Sequence, residues 1–137
     1  MRLAGPADIP RISAIRTAVR ENRLRDPAAV TPAMVAEFMD EIGQFWVYEE
    51  RGRVLGFSAA DFRDGHVWAL FVEPAQEGRG IGRALLDRAC AVLLERGHLE
   101  ANLTTGANTR AERFYRRDGW REAGRDAHGD IRFRKPL

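Results

Sequence analysis

Cysteine is almost absent from this chain. The single Cys90 excludes an intrachain disulfide and a cysteine-rich zinc cluster, and it suits a reducing compartment, so the expected location is cytoplasmic. No apolar run approaches the roughly 20 residues needed to span a bilayer. Asp8, Arg11 and Arg16 interrupt the N-terminal segment, which therefore lacks a signal peptide's apolar stretch, and no membrane partner is expected. Histidine is scarce too. His66, His98 and His128 lack the i, i+4 spacing of a helical metal pair, so no metal is expected. Two motifs are missing: without G-x-x-x-x-G-K-[ST] a P-loop NTPase has no phosphate lysine, and without G-x-S-x-G a serine hydrolase has no elbow. Lysine is confined to Lys135, and the rest of the 22 basic residues are arginines. Their forked guanidiniums suit phosphate, but a net charge of +2 does not make a general polyanion surface, and no specific nucleic acid is expected. What remains is an ordinary globular composition: 137 residues, 45% hydrophobic and 31% charged, read as one domain over residues 1–137.

The apolar period changes several times. Asp8 can cap a first helix with Pro10 in its first turn and Ile12, Ile15, Ala18 and Val19 on one face, ending near Arg23. Asp26-Pro27 reads as a loop. Thr31 and Pro32 open a second helix with the stripe Met34, Val35, Phe38, Met39 and Ile42, stopped by Gly43. Strands follow at 45–50, 53–62 and 66–72, separated by Arg51-Gly52 and Asp64-Gly65 as an antiparallel meander. A helix from Ile81 stops at Gly97, a strand covers 99–105, a helix covers about 109–117, and strands at 120–126 and 131–134 are joined through His128-Gly129. If 2–4 is a short first strand, the order is β-α-α-β-β-β-α-β-α-β-β. That is an α/β fold with a mixed, mainly antiparallel sheet of about seven strands and helices on both faces.

The most informative segment runs from Val72-Glu73-Pro74 through Glu77, Gly78, Arg79, Gly80, Ile81, Gly82 and Arg83. A strand ends at a proline, three alternate glycines follow, and an apolar helix begins within them. Ligands can approach a backbone without side chains, and the free N–H groups of the first helical turn favour an anion such as a pyrophosphate. Arg79 and Arg83 add charged donors beside it. The spacing G-x-G-x-G after a meander is not the dinucleotide fingerprint that opens a βαβ unit.

In these residues the chain resembles the GNAT superfamily of acyl-coenzyme A N-acyltransferases. The family's [Gln/Arg]-x-x-Gly-x-[Gly/Ala] motif after Val-x-Pro is matched by 72–82, with Glu77 at the Gln/Arg position as a departure, expected to point away from the phosphates. A second motif is matched by Asn108, Ala111, Phe114-Tyr115 and Gly119-Trp120. The resemblance implies a GNAT-like fold and acetyl-CoA as co-substrate. It implies binding by Phe71 and Val72 through freed backbone groups, by Gly78, Arg79, Gly80, Ile81, Gly82 and Arg83 at the pyrophosphate, and by Asn108 and Tyr115 beside the pantetheine arm. Asn108 and Tyr115, seven residues apart on one helix, face the same way to within about 20°. Tyr115 is either the acid that protonates the leaving thiolate or a core aromatic beside Phe114. Asn108 is a cofactor contact, a helix cap, or both.

Direct attack on a thioester requires an unprotonated amine. Leu103 stands where some family members carry a basic carboxylate, and His66 stands where others place Glu or His, so His66 is the candidate base, with Glu73 and Asp61 behind it. His98 and His128 beside turn glycines are expected to be solvent-exposed. The implied function is an acetyl-CoA-dependent N-acetyltransferase acting on a small-molecule or peptide amine in a ternary complex. A non-catalytic acyl-CoA sensor of the same fold is the alternative. Trp120, Ile131 and Phe133, read as an apolar sheet edge, together with the resemblance suggest a homodimer.

Overall fold

A computed structural model describes residues 1–19 and 31–137. The expected end of the first helix near Arg23 and the loop at Asp26-Pro27 lie outside the described residues. The elements are β1 (Arg2–Leu3), α1 (Ile9–Ala18), α2 (Pro32–Glu37), β2 (Gly43–Glu50), β3 (Arg53–Asp61), β4 (His66–Val72), α3 (Ile81–Glu95), β5 (Glu100–Thr105), α4 (Arg110–Arg117), β6 (Arg121–Arg125) and β7 (Ile131–Pro136). They form one seven-stranded sheet in the order β1-β2-β3-β4-β5-β7-β6, with β4 and β5 parallel and every other pair antiparallel. No helix among the described residues is long and apolar enough to cross a membrane. Among them, no group of three or more His, Cys, Asp or Glu side chains could hold a metal ion.

Local chemistry accounts for the elements. Arg51 and Gly52 both have positive φ, the signature of a two-residue type I′ turn, and this fixes Glu50 opposite Arg53. Thr31 caps α2 by accepting from the Met34 amide, with Pro32 at the first position. Asp8 does not cap α1 with its side chain. It closes a preceding 3-10 turn, accepting from the Gly5 amide and from Arg2 at 2.9 Å each. The Arg2 guanidinium holds the Asp8 carboxyl below its ordinary range against the opposing effect of burial. The second helix continues past α2 through a π-helical turn over 38–42 before Gly43 enters the sheet.

β3 is buried from Val54 to Asp61, because helices cover both faces. On one face Ile9, Ile12 and Ile15 of α1, with Val35 and Phe38, pack on Phe45, Val47, Phe57 and Ala59. On the other, Leu86, Ala89 and Leu93 of α3 join Tyr115, Leu103, Ile131 and Phe133. Ala18 and Met34, expected on the apolar faces of their helices, are exposed. The expected apolar edge is also corrected. Trp120, Ile131 and Phe133 are buried in the cluster with Leu86, Ala89, Leu93 and Tyr115, and the outermost strand is β6, exposed along its length. Lys135 reaches from β7 to the end of α4, where its ammonium donates to the Asp118 carbonyl at 2.9 Å and carboxylate at 3.1 Å.

Gly43 is extended, so its role is spatial. A Cβ there would collide with the Ala60 carbonyl on β3 and come within 2.9 Å of the Phe38 ring. Gly43→Ala is expected to cost about 1–3 kcal/mol in urea unfolding, whereas Gly5→Ala, with open space at its Cβ, should change stability little. Equal midpoints for the two variants would contradict this packing.

Candidate functional site

Parallel pairing between β4 and β5 is recorded at one position, His66 opposite Asn102. Beyond it β4 follows β3 as far as Val72 and β5 follows β7 as far as Thr105, so the two strands part. At the closed end the Asn102 amide N–H donates to the Gly65 carbonyl at 3.0 Å. The Asn102 side chain donates through Nδ2 to the Asp64 carbonyl, which leaves its Oδ1 facing His66 Nδ1 at 2.7 Å and assigns the proton to that ring nitrogen.

Two cavities open beside the parted strands. One, of about 380 Å³, lies between the glycine loop and α4, lined by Gly78, Gly80, Ile81, Gly82 and Arg83 with Leu70, Phe71 and Val72 of β4 and Arg110, Phe114, Tyr115 and Arg117 of α4. The other, of about 250 Å³, lies toward α1, lined by Ile12, Arg16, Phe45, Trp68, Leu103 and Thr105 among others. Leu70, Phe71, Ala111 and Tyr115 line both. The site is therefore two chambers that share a wall where the sheet is open.

The loop has the form expected from its glycines. Gly78 and Gly80 have φ of 81° and 82°, in the left-handed region, and open space stands where their side chains would be. Gly80 caps α3, whose first amides lack helical partners. This cradle can take an anion. Arg83 lines it and also lies 3.4 Å from the Asp118 carboxylate. Arg79 does not line it, because its guanidinium turns back to Gln76 at 2.6 Å and to Glu50 at the end of β2 at 2.8 Å. Glu77 lines the cavity rather than pointing away from it, and Arg110 of α4 holds its carboxylate at 2.9 Å.

Tyr115 is 6% exposed, and burial pushes its phenol upward from the ordinary value. It stays protonated at neutral pH. Asn108 is not helical and is not part of the lining. Its φ is +61°, so the helical angle to Tyr115 does not apply to it. Asn is among the few residues that tolerate this conformation. The cap is Thr109, which accepts from the Glu112 amide at 3.1 Å, while the Glu112 carboxylate accepts from the Asn108 amide at 2.8 Å.

The structure does not bring His66 to either cavity. It sits at the closed end of the parting, five residues from Phe71, about 16 Å along a strand at roughly 3.3 Å per residue. Glu73 is clamped by Arg11 at 2.6 Å and Arg53 at 2.7 Å. Buried Asp61 is held by Arg63 at 2.7 Å; burial raises its pKa, but the Arg63 contacts outweigh this and lower it. His98 is half-buried against the Phe62 carbonyl at 2.8 Å, and His128 is exposed. The Cys90 thiol is pushed up to about 11 by burial. Leu103 is part of the core. The sequence reading did not single out Arg16, Arg110 or Arg117 as site residues. Arg16 carried a signal, since it lies one turn after buried Ile12 on what is otherwise an apolar stripe.

The family model described as acetyltransferase (GNAT) domain matches residues 41–122. The peptidyl-lysine N-acetyltransferase YjaB of Escherichia coli (strain K12) is 30% identical over 107 residues, 76% of this chain and 67% of that protein. A mycothiol acetyltransferase of Clavibacter sepedonicus is 40% identical over 87 residues, 61% of this chain. This chain spans only 27% of that relative's length. Among solved structures, the PaiA N-acetyltransferase from Thermoplasma acidophilum in complex with coenzyme A superposes with a TM-score of 0.79 at 17% identity, covering 99% of this chain and 97% of that one. At that identity the likeness establishes the fold.

Glu77 is the one carboxylate in the lining of the loop cavity among the described residues. Glu77→Gln removes a like charge and releases Arg110, so calorimetry should give binding of inorganic pyrophosphate about threefold tighter or better at low salt. Unchanged or weaker binding would mean that the carboxylate does not face the anion.

Proposed function

The chain belongs to the acetyltransferase (GNAT) family, and we propose that it transfers the acetyl group of acetyl-coenzyme A to a primary amine by direct attack, with both substrates bound together. The observation that carries this reading is the pair of chambers meeting at Leu70, Phe71 and Tyr115 through the parted strands. One chamber has the anion cradle a coenzyme A pyrophosphate needs, and the other admits an acceptor from the α1 side.

The residues of the loop cavity fit coenzyme A. The amides at the start of α3, with Arg83 and Arg117 beside them, would hold the pyrophosphate. The edge of β4 at Phe71 and Val72, unpaired toward β5, would lie along the arm. Acetyl-coenzyme A supplies an acetyl group already activated as a thioester. The amine lone pair forms the C–N bond as the C–S bond breaks, and the Tyr115 phenol gives its proton to the leaving sulfur. Holding both substrates across one shared wall supplies the proximity on which direct attack depends. Among the described residues no carboxylate or imidazole lines the acceptor chamber. The attacking amine is the neutral form; the proton it sheds as the C–N bond forms passes to water, and water returns a proton to the Tyr115 phenolate.

Tyr115→Phe should leave acetyl-coenzyme A affinity within about twofold by calorimetry and lower turnover at least tenfold. Unchanged turnover would remove Tyr115 from the reaction. Acetyl-coenzyme A binding without acetylation across a broad amine panel would favour a non-catalytic sensor.

The pH dependence of kcat/KM should rise with the deprotonation of the acceptor and move when amines of different pKa are compared. A limb fixed near pH 6.5 for every acceptor would instead point to an enzyme imidazole.

A further inference from the structure

The helices cover the second half of the sheet on one side only. Leu103, Ile131 and Phe133 turn toward α3 and α4, while the apolar cluster under α1 and α2 takes its sheet residues from β2, β3 and β4. The opposite face of β5, β7 and β6 is therefore open, and strand alternation places Asn102, Thr104, Arg132, Arg134 and Arg121 on it. Arg121, Arg132 and Arg134 are exposed. The one carboxylate that these strands add to this face, Glu100, meets Arg134 at 3.2 Å. Among the described residues no carboxylate pairs with Arg121 or Arg132.

The register gives this open face a chemical preference. Arg121 stands directly opposite Arg134, and like charges in that position repel across the ladder and cost stability. An anion laid on the face converts the repulsion into attraction. Arg132 and Arg134, two residues apart on one strand, are spaced by about 6.6 Å, the repeat of alternate side chains in an extended peptide. Among the described residues of these strands no aromatic side chain lies on the face, so it lacks the stacking platform on which single-stranded nucleic acid binds. The face also adjoins the site, because Thr104, opposite Arg132, lines the acceptor chamber. From Thr104 across β7 to β6 is about 10 Å, two strand spacings, or about three residues of extended chain.

We propose that this face docks the acidic segment of a polypeptide acceptor: the amine enters the chamber past Thr104, and carboxylates within about three to five residues of it lie on Arg132, Arg134 and Arg121. This rests on the acetyltransferase reading above and names its acceptor class. The amine is a peptide N-terminus or a lysine side chain, and in either case the acidic neighbours are what the face recognises. The arginines orient the acceptor and take no part in the bond changes.

The test measures equilibrium binding on the full chain by calorimetry, which requires no turnover. The probes are the peptide Ala-Ala-Asp-Glu-Asp-Glu and its neutral counterpart Ala-Ala-Asn-Gln-Asn-Gln, each also made with a blocked N-terminus and lysine at the second position to tell the two amines apart. The acidic peptide should bind about fivefold tighter or better at low salt, and the gap should narrow at high salt. In the double variant Arg121→Gln, Arg132→Gln the gap should fall to within about twofold, whereas Arg51→Gln, at an exposed arginine in the β2–β3 turn, should keep it. The double variant should melt no lower than the unaltered chain, because it relieves repulsion across the ladder. Equal binding of acidic and neutral peptides, no binding of either, a gap that survives in the double variant, an equal loss in Arg51→Gln, or tighter binding of an oligothymidylate of the same charge would each overturn the proposal. An intact acidic preference in binding with no acetyl transfer would overturn the reaction and leave the docking face standing. Transfer to acidic and neutral peptides at equal kcat/KM would do the reverse.

Discussion

The site depends on two adjacent parallel strands ceasing to pair after one register position. A sheet tolerates this only where each strand keeps another neighbour, and here β4 is held by β3 and β5 by β7. The polar backbone groups that face the gap are left without a ladder, and such groups call for water or a ligand. The side-chain bond from His66 to Asn102, with the backbone bond beside it, sets where the parting begins and so where Phe71 and Tyr115 come to lie across it. His66 itself stays at the closed end of the parting, bonded to Asn102 through its ring nitrogen.

The electrostatics are those of a nearly neutral protein in which many arginines are matched to carboxylates. Glu73 takes two guanidiniums, Asp8 and Glu49 share Arg2, and Arg116 bridges Glu112 and Glu122. Exposed pairs of this kind add little stability each. Their larger effect is to take charge away from most of the surface. Glu77 and Arg110 bring the same pairing into the loop cavity itself, where a carboxylate and a guanidinium share the wall that an anion would meet.

Much of this architecture was legible in the sequence, because turns and periods are local properties. Arg51-Gly52, Gly97 and Pro32 mark boundaries through their own dihedral preferences, and alternating apolar residues give β2 its buried face. The glycine loop and Tyr115 were legible for the same reason: the first is a backbone conformation, the second an aromatic in a short motif. Contacts between distant residues were not legible. Nothing in the sequence tells Arg79 to choose Glu50, or Arg110 to choose Glu77, across 29 and 33 positions. Asn108 was misplaced because helical spacing was extended one residue beyond Thr109, where the chain turns left-handed. The apolar edge read from Trp120, Ile131 and Phe133 failed because hydrophobicity reports burial and not which strand lies outermost.

The tether between Lys135 and Asp118 has a chemical meaning beyond holding β7 to the end of α4. Activated acyl donors stray onto any unprotonated primary amine they meet. Guanidiniums stay charged and unreactive at every pH where proteins remain folded. The chain's only side-chain amine donates to a carboxylate and a carbonyl, which keeps it occupied. Its surface can carry cations beside a reactive thioester without becoming a target for it.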